Sequence, residues 1–206
     1  MRKTGVKMLE VGQRVSHSTA VDYLAKLATT LALVPSEELD RAIELLLDAR
    51  AAQRRIYVMG NGGSAATASH LVCDLVKTAS VPGQQPLRVF ALTDNVPLLT
   101  AWANDAAYER VFTEQIGALI EPGDVVIAIS ASGNSPNIVA GLAAAAAKGA
   151  RTIGLVGFDG GAASHLADVV IHVPCDHYGL VEDTHAAIGH AITAAIRQHL
   201  QAAAAS

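Results

Sequence analysis

Two residues near position 70 could share a proton or a metal ion. His70 and Asp74 are four residues apart, and this spacing places both side chains on one face of a helix. An imidazole and a carboxylate in that arrangement can bind one metal or exchange one proton. The alternative is an ordinary ion pair on a helix surface.

A second concentration of ionisable side chains lies near the C-terminus, in residues 177–190. Glu182, Asp183, His185 and His190 stand there among Ala and Ile, which is not typical of a purely packed helix face. In an ideal helix Asp183 and His190 point the same way, and Glu182 lies about 80° from His190. The segment is therefore a second candidate for catalysis or ligand binding.

A glycine-rich turn follows the apolar run 55–59 and precedes a helical pattern. It consists of Gly60, Asn61, Gly62, Gly63 and Ser64. Glycine lets a ligand approach bare backbone, and the N-terminus of the following helix favours an anion, so the turn is a candidate phosphate site. Ser64 could add a hydroxyl donor. The alternative is a turn whose glycines serve packing alone, since the spacing fits neither GxGxxG nor GxxxxGK[ST].

A second polar turn follows residues 124–129, which are Asp124 and five apolar residues. It consists of Ser130, Ala131, Ser132, Gly133, Asn134 and Ser135. With no Lys or Arg, this composition suits an anion held by hydroxyls, backbone N–H groups and a helix terminus. The alternative is a cluster of helix caps, although a cap requires only one such residue.

Five apolar runs alternate with helical patterns from residue 55 onward, which predicts a parallel sheet flanked by helices. The strands are expected near 55–59, 87–93, 125–130, 151–156 and 168–173. The helices are expected near 64–79, 95–103, 108–120, 135–148 and 181–202. Ligands of such sheets bind beyond the carboxyl ends of the strands, so one ligand could contact both polar turns.

The residues before this core form two amphipathic helical patterns, near 17–34 and 36–54. We expect their apolar stripes to make oligomer contacts. The length predicts a single domain over residues 1–206, with N-terminal helices in 1–54 and the α/β core in 55–206.

Composition excludes several classes of protein. No apolar run reaches the ~18 residues of a membrane span, although 51% of the residues are hydrophobic, so the excess is expected in a buried sheet and in subunit contacts. The net charge of -4 gives no basic surface for nucleic acid. Two cysteines are too few for a disulfide framework, and no signal-peptide pattern is visible, so a cytoplasmic location is expected.

Four motifs together resemble the SIS (sugar isomerase) domain family, and most closely its phosphoheptose isomerase branch. They are residues 60–64, residues 103–105, residues 129–135, and Gly160-Gly161 before Ala167-Asp168. The resemblance implies a flavodoxin-like α/β fold with a five-stranded parallel sheet. It also implies a homotetramer with its sites near subunit interfaces.

The resemblance also implies roles for the ionisable residues. His70, Asp74, Glu182 and His190 would hold Zn²⁺, with Asp74 as the carbon base and His190 as the acid/base on the oxygen side. The family has Glu at the position of Asp74 and Gln at that of Glu182, so both are departures from its pattern. Asp183 and His185 would orient the ligands.

The substrate contacts are expected in the two turns, after the second strand, and at one position of the C-terminal polar segment. They are Asn61, Gly62, Gly63, Ser64, Asp94, Asn95, Ser130, Ala131, Ser132, Ser135 and Glu182. Asp94 would hydrogen-bond sugar hydroxyls, or alternatively cap the next helix. Gly179 replaces an acidic substrate-binding residue that is common in the family.

The resulting functional hypothesis is an aldose–ketose isomerase that interconverts sedoheptulose 7-phosphate and an aldoheptose 7-phosphate. The alternatives are an isomerase of another sugar phosphate and a non-catalytic SIS protein. The latter would bind phosphosugars or associate with the bacterial replication initiator.

Overall fold

Seven α-helices and five β-strands form the part of the chain that the computed structural model describes, residues 17–205. The strands are β1 (Arg55–Gly60), β2 (Arg88–Ala91), β3 (Val125–Ser130), β4 (Arg151–Val156) and β5 (Val169–His172). The helices are α1 (His17–Leu31), α2 (Ser36–Ala51), α3 (Gly63–Cys73), α4 (Val96–Asp105), α5 (Thr113–Leu119), α6 (Pro136–Ala147) and α7 (Tyr178–Ala205). The predicted alternation of strands and helices is confirmed.

The five strands form one parallel sheet in the order β2-β1-β3-β4-β5. Every residue of β3, at the centre, is buried, as expected for a strand covered on both faces. In the register of β1 with β3, Gly60 pairs with Ile129. The glycine turn and the serine turn therefore leave the sheet side by side at its carboxyl edge, as the sequence predicts.

Alternate residues of the strands feed two hydrophobic cores, one on each face of the sheet. In β1, Ile56 and Val58 join the core formed with α2, α3 and α7, whereas Tyr57 and Met59 join the core formed with α5 and α6. Burying one such aliphatic side chain contributes roughly 1.5–3 kcal/mol. The two cores fix the sheet edge on which both polar turns stand.

The two N-terminal helices use their apolar stripes differently. In α2, Ala42, Leu46 and Ala49 are buried within the chain's own core, so this stripe is not left for a partner. In α1, Val21 and Leu24 are exposed. The prediction of oligomer contacts therefore rests on α1 alone.

The helix predicted at 108–120 is two elements. A 3-10 turn spans Tyr108–Arg110, and α5 begins at Thr113. The break places Val111 and Phe112 together in the core, where both are fully buried. Spacing along one continuous helix could not reveal this local turn.

The helix predicted at 64–79 also changes character. After α3 ends at Cys73, a π-helical turn covers Asp74–Thr78. The N–H of Ala79 donates to the carbonyl of Asp74 at 2.9 Å, which closes the wider i→i+5 ring. This turn begins at one of the predicted site residues.

The longest helix in the described part of the chain is α7, with 28 residues. Across residues 17–205, no helix has the combination of length and hydropathy needed to span a bilayer.

Candidate functional site

The glycine turn brings bare backbone to the end of β1. Gly62 has a φ of +53°, a conformation that favours glycine. At Gly60 a Cβ atom would lie 2.5 Å from the carbonyl oxygen of Ser64, so this position has no room for a side chain. Ser64 itself is buried in the first turn of α3. The turn thus presents the N-terminus of α3 to the space beyond β1.

The serine turn keeps its hydroxyl protons available. Ser130 Oγ accepts a hydrogen bond from the N–H of Gly133 at 3.1 Å, and Ser132 Oγ accepts one from the N–H of Asn134 at 3.3 Å. Each hydroxyl can still donate its own proton to a ligand. Ser135 precedes α6 but forms no side-chain capping bond. The capping alternative for this cluster is therefore not what the structure shows.

The loop of residues 161–163 packs against the serine turn. Gly161 has a φ of +54°, and a Cβ there would lie 2.5 Å from the carbonyl oxygen of Ser132. The backbone N–H of Ala163 donates to the carbonyl of Gly133 at 2.9 Å, and the N–H of Ala162 donates to Asn134 Oδ1 at 2.9 Å. These contacts tie the serine turn to the loop, and the approach of Gly161 to Ser132 leaves no room for a side chain at position 161.

Two amides join the glycine turn to α6. Asn61 Nδ2 donates to Asn137 Oδ1 at 2.8 Å, and Asn137 Nδ2 donates to Asn61 Oδ1 at 2.9 Å. The hydroxyl of Tyr108 also donates to Asn61 Oδ1 at 3.0 Å. Asn61, a predicted substrate contact, therefore also links the two turns.

The two turns enclose a pocket of about 170 Å³. Its lining consists of Asn61, Ser64, Ile129, Ser130, Ala131, Ser132, Ser135, Tyr178 and Glu182. Most of the substrate contacts predicted from the sequence meet here, and Gly62 and Gly63 form the turn beside them. Tyr178 was not predicted. Its only sequence signal is an isolated aromatic residue at the start of a polar segment.

Of the described residues that line this pocket, Glu182 alone carries a charge. Its carboxylate lies over Gly63, where a Cβ atom would be 2.5 Å from Glu182 Oε1. Along α7 an eight-residue interval corresponds to a rise of about 12 Å between Glu182 and His190. Glu182 is placed with the serines, and its role as a metal ligand stays a prediction.

Three other predicted residues do meet. His70 Nε2 and His190 Nε2 each lie 3.4 Å from Asp74 Oδ2, and the two nitrogens are 3.3 Å apart. The packing of α3 against α7 creates this triad from segments 120 residues apart. Asp74 is 16% exposed, whereas the imidazoles are 57% and 58% exposed. The carboxylate is held inside and the histidines face outward.

The geometry of the triad fits a divalent metal. Ligands of a tetrahedral zinc at 2.0–2.1 Å are about 3.3 Å from one another, which matches the separations of the three donor atoms. Two imidazoles and one carboxylate are also a donor set that zinc accepts. Three protein donors leave a fourth position for water or substrate, as in catalytic sites. Within residues 17–205, His70, Asp74 and His190 form a group able to hold a metal ion.

Asp94 and Asn95, which follow β2, have different hydrogen-bond partners. Asn95 Oδ1 accepts from the N–H of Leu98 at 3.1 Å and so caps α4. Asp94 accepts hydrogen bonds from the hydroxyls of Ser69 and Thr93 instead, so the capping alternative for Asp94 is wrong. Ser69 precedes His70 on α3, which places Asp94 beside the helix that carries His70. Asn95 lines a different groove, and substrate binding by either residue stays a prediction.

Asp183 and His185 do not orient the triad, contrary to the expectation from the sequence. Asp183 accepts a hydrogen bond of 2.6 Å from the Tyr23 hydroxyl of α1, which raises the pKa of Tyr23 to about 12. His185 is fully buried, and burial lowers its pKa to about 4. The nearby backbone of Val156 raises the pKa of His185 and so offsets part of the effect of burial. The contact is weak, because among the described residues neither ring nitrogen of His185 has a partner at hydrogen-bonding geometry.

The chain is similar to known proteins in both sequence and structure. Residues 21–157 match the SIS domain. The chain is 43% identical over 165 residues to the phosphoheptose isomerase of Geotalea daltonii, covering 80% of this chain and 85% of the relative. It is 41% identical over 172 residues to that of Paramagnetospirillum magneticum, covering 82% and 89%. The structure of phosphoheptose isomerase GmhA from Neisseria gonorrhoeae superposes with a TM-score of 0.82 at 30% identity, covering 88% of this chain and 98% of that one.

Proposed function

The chain belongs to the SIS domain family and to its phosphoheptose isomerases, and from this we propose that it interconverts sedoheptulose 7-phosphate and D-glycero-D-manno-heptose 7-phosphate. The observation that carries the proposal is that His70, Asp74 and His190 meet where α3 and α7 pack together. The same two helices also contribute to the lining of the pocket between the two polar turns, which we call the serine pocket. A proton-transfer centre and an anion pocket are the two parts that a sugar-phosphate isomerase needs.

The spacing of the two parts suits a sugar chain. Ser64 and His70 are six residues apart on α3, a rise of about 9 Å. A chain of six or seven carbons with bonds of ~1.5 Å spans this distance. The phosphate would occupy the serine pocket while the carbonyl end of the sugar reaches the triad.

Hydroxyls and helix N-termini would hold the phosphate. The hydroxyls of Ser64, Ser130, Ser132 and Ser135 line the pocket, and α3 and α6 begin beside it. Backbone N–H groups at a helix N-terminus favour an anion without any cationic side chain. These groups fix the substrate and do not take part in the proton transfers.

The chemistry requires two proton transfers through an enediol. The carboxylate of Asp74 takes the proton from one carbon and returns it to the neighbouring carbon. His190 moves the proton between the two oxygens through the ring nitrogen that does not hold the metal. The largely buried position of Asp74 keeps water away from the base while the exposed imidazoles reach the substrate.

The proposed metal is Zn²⁺, held by His70, Asp74 and His190. When bound it would polarise the substrate carbonyl and stabilise negative charge on the adjacent oxygen. Glu182 would complete the donor set only from a neighbouring subunit or after a rearrangement. The homotetramer and the cytoplasmic location also stay predictions. The exposed apolar residues of α1 support the former.

A non-catalytic phosphosugar-binding module is the second candidate. It would require the serine pocket but not a carboxylate between two imidazoles. The triad therefore favours the enzyme. The identity of the sugar rests on the relatives, since Gly179 and Glu182 both depart from the residues that the resemblance implies.

The test is an isomerase assay against a panel of five- to seven-carbon sugar phosphates, with metal analysis of the same protein purified without chelator. We expect turnover of sedoheptulose 7-phosphate and up to one zinc per chain. Turnover of a shorter sugar alone would change the substrate assignment. Binding without turnover of any member would favour the non-catalytic alternative.

A further inference from the structure

The two carboxylate oxygens of Asp74 have different partners. Asp74 Oδ2 faces the Nε2 atoms of His70 and His190 at 3.4 Å each. Asp74 Oδ1 instead accepts a hydrogen bond of 3.1 Å from the hydroxyl of Thr78. One oxygen is thus assigned to the triad and the other to a neutral donor on the same segment.

The backbone between Asp74 and Thr78 is the π-helical turn. Its first carbonyl, that of Asp74, accepts from the N–H of Ala79 at 2.9 Å. Aspartate has only one methylene between its backbone and its carboxylate, so the backbone decides where the carboxylate can reach. An inserted π-helical turn changes the helical register at this residue, and such turns are frequent at functional sites.

Helix α7 fixes the far end of this turn. The guanidinium of Arg197 donates to the carbonyl of Thr78 and, at 3.4 Å, to that of Ser80. His190 and Arg197 are seven residues apart and therefore lie on nearly the same face of α7. The helix that carries one histidine of the triad also holds the backbone of Thr78.

We propose that Thr78 is a positioning residue, which holds the Asp74 carboxylate so that one oxygen is directed between the two imidazoles. Arg197 supports it by fixing the Thr78 backbone to α7. The inference rests on the proposed function for its catalytic consequence. Its geometric consequence, a stronger metal site, does not depend on which sugar is the substrate.

The first experiment compares Thr78→Val, which removes the hydroxyl at nearly constant shape, with Thr78→Ser, which keeps it. A matched control is Thr100→Val in α4, because Thr100 is also an exposed helical threonine whose hydroxyl donates four residues back. The readouts are kcat, KM, the melting temperature, and the affinity of the metal-free protein for Zn²⁺ measured by chelator competition.

We expect Thr78→Val to lower kcat and weaken Zn²⁺ binding each by roughly tenfold, the usual effect of losing a group that orients a metal ligand. KM for the sugar phosphate should change less than twofold, since the serine pocket is intact. Thr78→Ser should restore both values to within about twofold of wild type. The melting temperature should match that of Thr100→Val.

The second experiment tests whether Thr78 acts through Asp74. In an Asp74→Ala background no carboxylate remains to be oriented, so Thr78→Val should leave the residual Zn²⁺ affinity unchanged. An equal loss of affinity in both backgrounds would overturn the inference. So would unchanged kcat and Zn²⁺ affinity in Thr78→Val, or failure of Thr78→Ser to rescue.

The two proposals fail differently. If wild-type protein turns over no sugar phosphate, the proposed function is lost, but the Zn²⁺ affinities of the Thr78 variants still decide the positioning role. If wild type is active and Thr78→Val equals it in every readout, only the positioning role is lost.

Discussion

Asn61 and Asn137 each donate one amide hydrogen bond to the other, across the gap between the glycine turn and α6. Asn137 is almost fully buried, so its amide has little water to replace a lost partner. The pair therefore fixes the distance between the two halves of the anion pocket.

Removing either member of this pair should weaken phosphate binding and stability together. Asn61→Ala or Asn137→Ala leaves the other amide unpaired, which costs about 1–3 kcal/mol of unfolding free energy. The double variant should cost clearly less than the sum of the two. Urea unfolding measures this coupling, and strict additivity would contradict the paired role.

The hydroxyls of the pocket should account for part of the phosphate affinity. Ser64→Ala and Ser132→Ala should each weaken sugar-phosphate binding by about 1–3 kcal/mol, because each removes a charge-assisted hydrogen bond. Calorimetric titration measures the effect, with the exposed Ser80→Ala as the control. Unchanged affinity in both pocket variants would refute the pocket assignment.

The triad should separate binding from turnover. Asp74→Asn should nearly abolish kcat while sugar-phosphate binding persists, because the base is removed and the serine pocket is untouched. His190→Ala should lower both kcat and zinc content. Full activity of Asp74→Asn would refute its role as the base. Full activity of the metal-free wild-type protein would rule out a catalytic role for zinc and leave a metal-independent route through the enediol.

Glu182 should oppose phosphate binding. Among residues 17–205 it is the one charge in the lining of the pocket, and a carboxylate repels an anion there by on the order of 1 kcal/mol after screening. Glu182→Gln should therefore tighten the binding of inorganic phosphate by roughly fivefold at low salt, and the gain should shrink in high salt. The control is Glu37→Gln on α2. Weaker phosphate binding by Glu182→Gln would instead show that the carboxylate acts through a bound cation.

His185 should make stability depend on pH. Burial lowers its pKa to about 4 from the ordinary value of 6.5, so the unfolded chain binds a proton more readily than the folded one. Its contribution is complete above pH 6.5 and is lost as the pH falls toward 4, by up to about 3 kcal/mol. Below that window no further loss from this residue is expected.

Urea unfolding between pH 4 and pH 8 measures this dependence. The slope near pH 5 should be smaller in His185→Leu, which has no titratable group, and unchanged in His199→Gln, whose side chain is exposed. Equal slopes in wild type and His185→Leu would show that His185 is not the group responsible.

The sheet and the two polar turns could be predicted because their signals are local. A strand buried on both faces, such as β3, is predicted by a continuous apolar run in the sequence. The turn after it is predicted by its glycines and serines. The meeting of His70, Asp74 and His190 came from the resemblance, since spacing alone does not say which helices pack together.

The features that the sequence did not predict depend on contacts with residues of other elements. A helical wheel gives the direction of Asp183 but not that Tyr23 of α1 lies there. The side-chain pattern of residues 64–79 fits an α-helix, and one extra residue in a turn leaves no mark on it, so the π-helical turn was missed. Asn137 and Thr78 gave no signal because each matters only through a specific partner.

The adjacency of β1 and β3 in the sheet has a consequence for folding. In the chain these strands are separated by α3, β2, α4 and α5, so a long loop must close before the two polar turns stand together. A half-folded chain has only half of the pocket and should gain nothing from a phosphate ester. Ligand binding therefore selects the completed sheet alone, and a sugar phosphate should protect the β1–β3 amides from hydrogen exchange to the same extent that it raises global stability.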